Sequence, residues 1–139
     1  MNTSGEPQDV VLVVDIANVM GSRPDGWWRD RAAAATSLLS ALEPLNGADI
    51  TLPDREEVVR IMQIRAVVEG AAKGVDGPAA VSVLPAERDG DSAIVDEAHR
   101  LVESGTTPLV VTADRGLRLR LPEQALMAGP GWLNRLLGR

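Results

Sequence analysis

Hydrophobic residues in this chain fall into short unbroken runs, separated by stretches in which they recur every three or four positions. The first run, residues 10–14, contains only valine and leucine and leads directly into Asp15. A run without polar residues is typical of a strand buried on both faces at the centre of a parallel sheet. We predict further strands at residues 61–68, 80–84, 108–112 and 125–128.

The stretches between these runs predict amphipathic helices at residues 28–42, 92–104, 115–120 and 132–137. Residues 43–60 fit either a helix that begins near Pro53 or a loop that leads into a long strand. Strands that alternate with helices imply right-handed crossovers between parallel strands. The predicted fold class is therefore α/β, a three-layer α/β/α arrangement around a parallel sheet of about five strands.

Composition narrows the functional classes. The 139 residues suffice for one domain, which we place at residues 9–139 after a flexible polar terminus at residues 1–8. The chain has no cysteine, and this excludes disulfides and thiolate metal sites. It shows no signal-peptide pattern and no membrane-length apolar run, so we expect a soluble cytoplasmic protein. A net charge of −6 argues against a broad basic face for nucleic acid but allows a local basic rim.

Acidic residues recur where the predicted strands end. Asp15, Glu69 and Asp114 each follow an apolar strand, and Asp91 opens a predicted helix. Taken singly, Asp91 and Asp114 are typical helix caps, Asp89 is a solvated loop charge, and Glu69 has Arg23 or Arg65 as a structural partner. Taken together they share one edge, because strand C-termini and helix N-termini meet there in a parallel α/β sheet.

Several carboxylates at one edge repel one another and require a compensating cation. Mg²⁺ and Mn²⁺ prefer oxygen ligands, and no histidine lies among the four acids; the single histidine, His99, falls in the middle of a helix. An all-oxygen site with open water positions suits metal-assisted hydrolysis of a phosphodiester. The residues thus indicate one or two divalent ions at Asp15, Glu69, Asp91 and Asp114.

The ordered pattern of Asp15-x-x-Asn18, Glu69, Asp91 and Thr112-x-Asp114 resembles the PIN-like nucleases, and most closely their NYN branch with the YacP-like proteins. The loop at residues 21–31 also looks like that of small actinobacterial proteins of this type. The resemblance implies a parallel sheet of strand order 3-2-1-4-5 and cleavage of RNA dependent on Mg²⁺ or Mn²⁺. Two positions depart from the pattern: residue 69 is Glu where Asp is frequent, and Ser92 stands where a second aspartate often follows.

Residues around the acids are candidates for binding the substrate. We expect Asn18 and Thr112 to orient Asp15 or to contact a phosphate, and arginine forks suit phosphate oxygens at Arg23, Arg29 and Arg115. For Arg31 we favour a salt bridge on the helix face. The rings of Trp27 and Trp28 are candidates for stacking on a base. For Trp28 the alternative is packing against the sheet. The expected partner is single-stranded RNA. We expect no association with a membrane, and the sequence is compatible with a homodimer.

Three other functions compete with a ribonuclease. A non-catalytic NYN-like module that binds RNA or protein fits the acidic isoelectric point and the two departures. A phosphohydrolase of the haloacid dehalogenase type requires Asp-x-Asp after the first strand, where this chain has Ala17. A dinucleotide-binding domain requires a Gly-x-Gly-x-x-Gly fingerprint that does not follow that strand.

Overall fold

The computed structural model describes residues 6–53 and 55–139. Its strands are β1 (Gln8–Asp15), β2 (Asp49–Thr51), β3 (Val58–Val68), β4 (Val81–Pro85), β5 (Thr107–Val111) and β6 (Leu126–Ala128). Its α-helices are α1 (Ile16–Gly21), α2 (Arg31–Leu42), α3 (Gly90–Glu103), α4 (Arg115–Arg120) and α5 (Pro130–Leu136), and short 3₁₀ helices lie at Trp27–Arg29, Glu43–Leu45 and Gly70–Ala72. Of the terminus predicted to be flexible, residues 1–5 lie outside the described part, while Gln8 already pairs with Val59 in the sheet.

The strands form one sheet in the order β2-β3-β1-β5-β6, and β4 pairs with the second half of β3. Four of the pairings are parallel, namely β1 with β3, β1 with β5, β3 with β4 and β5 with β6. The parallel strands therefore run β4-β3-β1-β5-β6, which is the predicted order 3-2-1-4-5. The prediction of an α/β fold with the first strand at the centre is confirmed.

Side chains of β1 alternate between two hydrophobic cores, because successive residues of a strand point to opposite faces. Val10, Leu12 and Val14 pack in the core under α1, α2 and α5. Val11 and Val13 pack in the core under α3 and α4. All five are at most 3% exposed, which explains why the run contains no polar residue. The sheet is thus covered on both faces, as a three-layer arrangement requires.

Among residues 43–53 and 55–60, the chain forms a 3₁₀ turn (Glu43–Leu45), β2 and the start of β3, and these described residues contain no helix that begins at Pro53. β3 begins at Val58, earlier than predicted, and β2 lies antiparallel beside its first residues. An ion pair between Arg60 and Asp49, 2.8 Å apart, joins these two strands. The three residues of β2 are too few to show a period, so no sequence pattern indicated them. The same is true of the six-residue α1.

Helices in the described ranges, 6–53 and 55–139, are all too short or too polar to cross a lipid bilayer. The longest, α3, has 14 residues and presents an apolar stripe to the sheet, while its other face carries charged side chains. This stripe contains Ile94, Ala98 and Leu101, as the helical spacing predicts.

Candidate active site

The three acids that follow strands converge because the central strands end level with one another, and Asp91 joins them from the first turn of α3. Asp15 lies opposite Val67 of β3, so that Glu69 follows within two residues at the same edge. On the other side Val14 lies opposite Val111 of β5, and the chain continues there to Asp114. One open cavity of about 250 Å³ is lined by Asp15, Ala17, Asn18, Glu69, Asp91 and Asp114. Within the described ranges, no lysine or arginine lines it.

Asp15 is the most buried of these acids, with 7% of its surface exposed. Its Oδ1 accepts a hydrogen bond from the backbone N–H of Asn18 at 3.2 Å, which caps α1. Its Oδ2 accepts one from the hydroxyl of Thr112 at 2.9 Å. Burial raises the pKa of Asp15 to about 6, although both hydrogen bonds lower it; the charges of Asp91 and Glu69 raise it further. Asp15 is therefore both a helix cap and a member of the acidic cluster.

Thr112 and Asn18 join the β1–α1 corner to the β5–α4 corner. The hydroxyl of Thr112 donates to Asp15 and accepts from the backbone N–H of Asp114 at 3.2 Å. The Asn18 side chain accepts from the backbone N–H of Ala113 at 2.8 Å, so its amide joins the two corners while its backbone N–H holds Asp15. Arg118 donates from Nε and Nη2 to the carbonyl of Thr112, at 2.9 and 2.7 Å.

Asp91 and Asp114 form the outer part of the cluster. Asp114 caps α4 by accepting from the backbone N–H of Leu117 at 3.0 Å, as predicted. Asp91 does not cap α3: the cap is Asp89, which accepts from the backbone N–H of Ser92 at 2.7 Å. Burial raises the pKa of Asp91, as do the charges of Asp114, Asp89 and Glu69 and a hydrogen bond with the Asp114 carboxyl group.

Glu69 is held by the backbone of α3. Its Oε2 accepts from the N–H of Gly90 at 2.5 Å, and a Cβ atom on Gly90 would lie 2.7 Å from that oxygen. Neither suggested arginine partner is used, because Arg23 pairs with Asp25 and Arg65 lies beside Glu97. The additional methylene of Glu69, relative to aspartate, lets its carboxylate reach Gly90. Sequence reasoning missed Gly90, although a glycine between two acids at a helix start was the available signal.

The basic candidates lie outside this cavity. Arg23 is 3.3 Å from Asp25, the guanidinium of Arg29 lies 6.0 Å from the ring of Trp28, and Arg115 is exposed at the start of α4. Trp28 is 52% exposed, so it does not pack against the sheet. The salt bridge favoured for Arg31 is also absent from the described ion pairs; its guanidinium lies 5.3 Å from the ring of Trp27.

The four acids are chemically suited to a divalent cation, but their side chains do not form a preassembled coordination site. Across residues 6–53 and 55–139, no three acidic or histidine side chains are close enough to hold a metal ion. Asp15, Glu69 and Asp114 instead direct oxygens to protein N–H and O–H donors. The set nevertheless offers only oxygen donors, and burial, together with the charges of the neighbouring carboxylates, raises the pKa of Asp15 and of Asp91. Such a set suits Mg²⁺ or Mn²⁺.

Thr112→Val is expected to lower the free energy of unfolding by about 1–3 kcal/mol at pH 8, because Asp15 loses a buried donor. The loss should be smaller at pH 5, where a protonated Asp15 depends less on that donor. Thr112→Ser keeps the hydroxyl and is the control. Urea unfolding of the three proteins at both pH values measures the effect. A loss of equal size at the two pH values would contradict the role given to the hydroxyl.

The fold is similar to that of a known protein. A structure of Rae1 (YacP) from Bacillus subtilis superposes with a TM-score of 0.69 at 18% sequence identity, over 93% of this chain and 75% of that chain. No protein-family profile matches the sequence, and no curated protein matches it significantly. The predicted YacP-like fold is confirmed by this likeness.

Proposed function

We propose that this protein is a metal-dependent ribonuclease that hydrolyses single-stranded RNA in the cytoplasm, a PIN-like nuclease of the NYN branch and the small actinobacterial type. The observation that carries the proposal is the convergence of four carboxylates on one cavity that no lysine or arginine of the described ranges lines. In a non-catalytic module we would expect a basic side chain to neutralise such a cluster. Ala17 lines the same cavity where a haloacid dehalogenase would carry its second aspartate, which argues against that phosphohydrolase.

Asp15, Glu69, Asp91 and Asp114 would hold Mg²⁺ or Mn²⁺ and so form the catalytic centre. The ion would supply an activated water and stabilise the leaving oxygen. The protein's own contribution is to orient the acids. Thr112 fixes the rotamer of Asp15, and Gly90 holds the carboxylate of Glu69. With a pKa of about 6, Asp15 is largely ionised at neutral pH and available to a cation.

Purified protein and an end-labelled single-stranded RNA test the proposal directly. Cleavage is expected with Mg²⁺ or Mn²⁺ and not in EDTA, and a fully paired RNA of the same sequence should be cut more slowly. Asp114→Asn, which keeps the size of the side chain, should be inactive. Binding without cleavage under every metal condition would instead support the non-catalytic module.

We propose Arg115, Arg29 and Arg23 as contacts for phosphates away from the acids. Each arginine that neutralises one phosphate of a single strand adds about 0.7 to the slope of log affinity against log salt. Arg29→Ala and Arg115→Ala should reduce the slope by about this amount. Arg23→Ala should reduce it less, because Asp25 already neutralises part of its charge. Filter binding across a salt series measures the slopes, and unchanged slopes for Arg29→Ala and Arg115→Ala would exclude both contacts.

A further inference from the structure

A second cavity adjoins the acidic one. Its volume is about 350 Å³, and its lining includes the apolar side chains of Ala17, Met20, Trp27 and Ala72. Two arginines, Arg31 and Arg88, and two acids, Glu69 and Asp89, complete most of the wall. Ala17 and Glu69 belong to both cavities. The second cavity, which we call the Trp27 cavity, therefore shares part of its wall with the acidic cavity.

Trp27 forms a firmly held aromatic wall. Its ring meets that of Trp28 edge to face, with centroids 6.1 Å apart and an angle of 86° between the planes. The Arg31 guanidinium lies over the ring, and the side chain packs against the hydrophobic core beneath α1 and α2. An indole that is fixed in this way loses little conformational entropy when a flat ligand stacks on it.

The charges of this cavity favour a ligand that is partly apolar and partly anionic. Among the described ion pairs, neither Arg31 nor Arg88 has a carboxylate partner. The two acids of the wall are already hydrogen-bonded, Glu69 to the N–H of Gly90 and Asp89 to the N–H of Ser92. The two guanidinium groups therefore supply the charged donors of the wall, and their geometry matches phosphate oxygens.

We propose that the Trp27 cavity binds one nucleotide of single-stranded RNA, the one next to the phosphate held at the acids. The base stacks on Trp27 in place of the Arg31 guanidinium, which lies over that ring in the free protein, and Arg31 and Arg88 bind the phosphate that follows the base. This assignment rests on the proposed function, because it takes the acidic cavity as the place of cleavage. A base has to leave its duplex stack to enter such a cavity, so the cavity selects unpaired RNA.

Binding without metal separates this inference from catalysis. Wild-type protein in EDTA is titrated into a short fluorescein-labelled single-stranded RNA, and the titration is repeated with RNAs in which one nucleotide at a time is abasic. Loss of the stacked base is expected to weaken binding about tenfold, and only at one or two adjacent positions. Uniform affinity along the abasic series would overturn the proposal.

Paired variants test the wall of the cavity. Arg31→Ala and Arg88→Ala should each weaken RNA binding severalfold and reduce the salt slope by about 0.7. Arg100→Ala removes the same charge at the far end of α3 and is the control, so its affinity and salt slope should match those of wild type. Trp27→Ala should remove the abasic effect, and Trp27→Phe, which keeps an aromatic face in the cavity, should retain most of it. If Trp27→Ala does not fold, the two arginine variants still decide the question.

Failure of this inference is distinguishable from failure of the proposed function. Cleavage by wild-type protein together with unchanged binding by Arg31→Ala and Arg88→Ala would overturn the Trp27 cavity alone. Absence of cleavage with a localised abasic effect would overturn the nuclease and leave the nucleotide site in place. A free nucleoside monophosphate that binds as tightly as the RNA would overturn RNA as the occupant.

Discussion

Asp15→Asn is expected to abolish the metal-dependent cleavage of single-stranded RNA, with a loss of at least about a hundredfold. Losses of 10- to 100-fold are typical when a residue that merely orients a metal ligand is removed, so a ligand should cost no less. The substitution keeps the size of the side chain and its hydrogen bond with the N–H of Asn18, but removes the most buried negative charge of the cluster. Cleavage rates over a Mn²⁺ series compare the variant with wild type.

The same variant should be more stable than wild type when metal is absent. The pKa of Asp15 rises to about 6 on folding, so its charge lowers the free energy of unfolding by about 3 kcal/mol above pH 6. This penalty disappears as the pH falls from about 6 towards 3.8. Asparagine avoids the penalty but bonds less well with Thr112, so we expect a net gain of about 1–2 kcal/mol at pH 8 and none at pH 4.

Asp30→Asn is the matched control for stability. Asp30 caps α2 by accepting from the backbone N–H of Ala33 at 3.0 Å, but it lies outside the acidic cavity. Asparagine and aspartate cap helices about equally well, so this variant should melt like wild type. Mn²⁺ should raise the melting temperature of wild type and of Asp30→Asn, and should raise that of Asp15→Asn little or not at all. Equal metal-induced shifts in all three proteins would contradict the role of Asp15.

Gly90→Ala is expected to reduce cleavage at least tenfold and to weaken the apparent affinity for Mn²⁺. The new methyl group would lie 2.7 Å from Oε2 of Glu69, so the carboxylate has to leave the backbone N–H that holds it. The helix itself should tolerate alanine, because Gly90 is not among the glycines with positive φ and alanine gains about 0.5–1 kcal/mol within a helix. Thermal melts should therefore change little while activity falls.

Two further variants isolate the contact between Gly90 and Glu69. Gly129→Ala changes a glycine at the start of α5 whose added Cβ meets no atom within 4 Å, so its activity should match wild type. Glu69→Asp in the Gly90→Ala background shortens the side chain and should recover part of the metal affinity. Full activity of Gly90→Ala would show that the position of Glu69 does not matter for cleavage.

The sequence predicted the parts of the fold whose signal is long or repeated. The apolar runs marked every parallel strand. Their C-terminal ends, together with the start of the helix at Asp91, predicted that Asp15, Glu69, Asp91 and Asp114 would meet, as they do. Short elements were missed, because β2 and α1 are shorter than the period that would reveal them. The order of the strands came from the resemblance to PIN-like nucleases rather than from the hydrophobic pattern.

Details of the site depend on helix boundaries and on side-chain directions. A helix start is uncertain by one or two residues, and this was enough to assign the cap of α3 to Asp91 instead of Asp89. The contact between Glu69 and Gly90 joins residues 21 positions apart, and no local pattern encodes it. Arg88 lies within the acidic turn, where its charge was overlooked among the carboxylates, although it lines the Trp27 cavity.

A crystal structure of the protein soaked in Mn²⁺, with data collected at the manganese absorption edge, tests the central claim most directly. We expect an anomalous difference peak in the acidic cavity, bound by carboxylate oxygens of Asp15, Asp91 and Asp114. Glu69 should contribute directly or through water. An acidic cavity without a peak, at a Mn²⁺ concentration that supports cleavage in solution, would contradict the account.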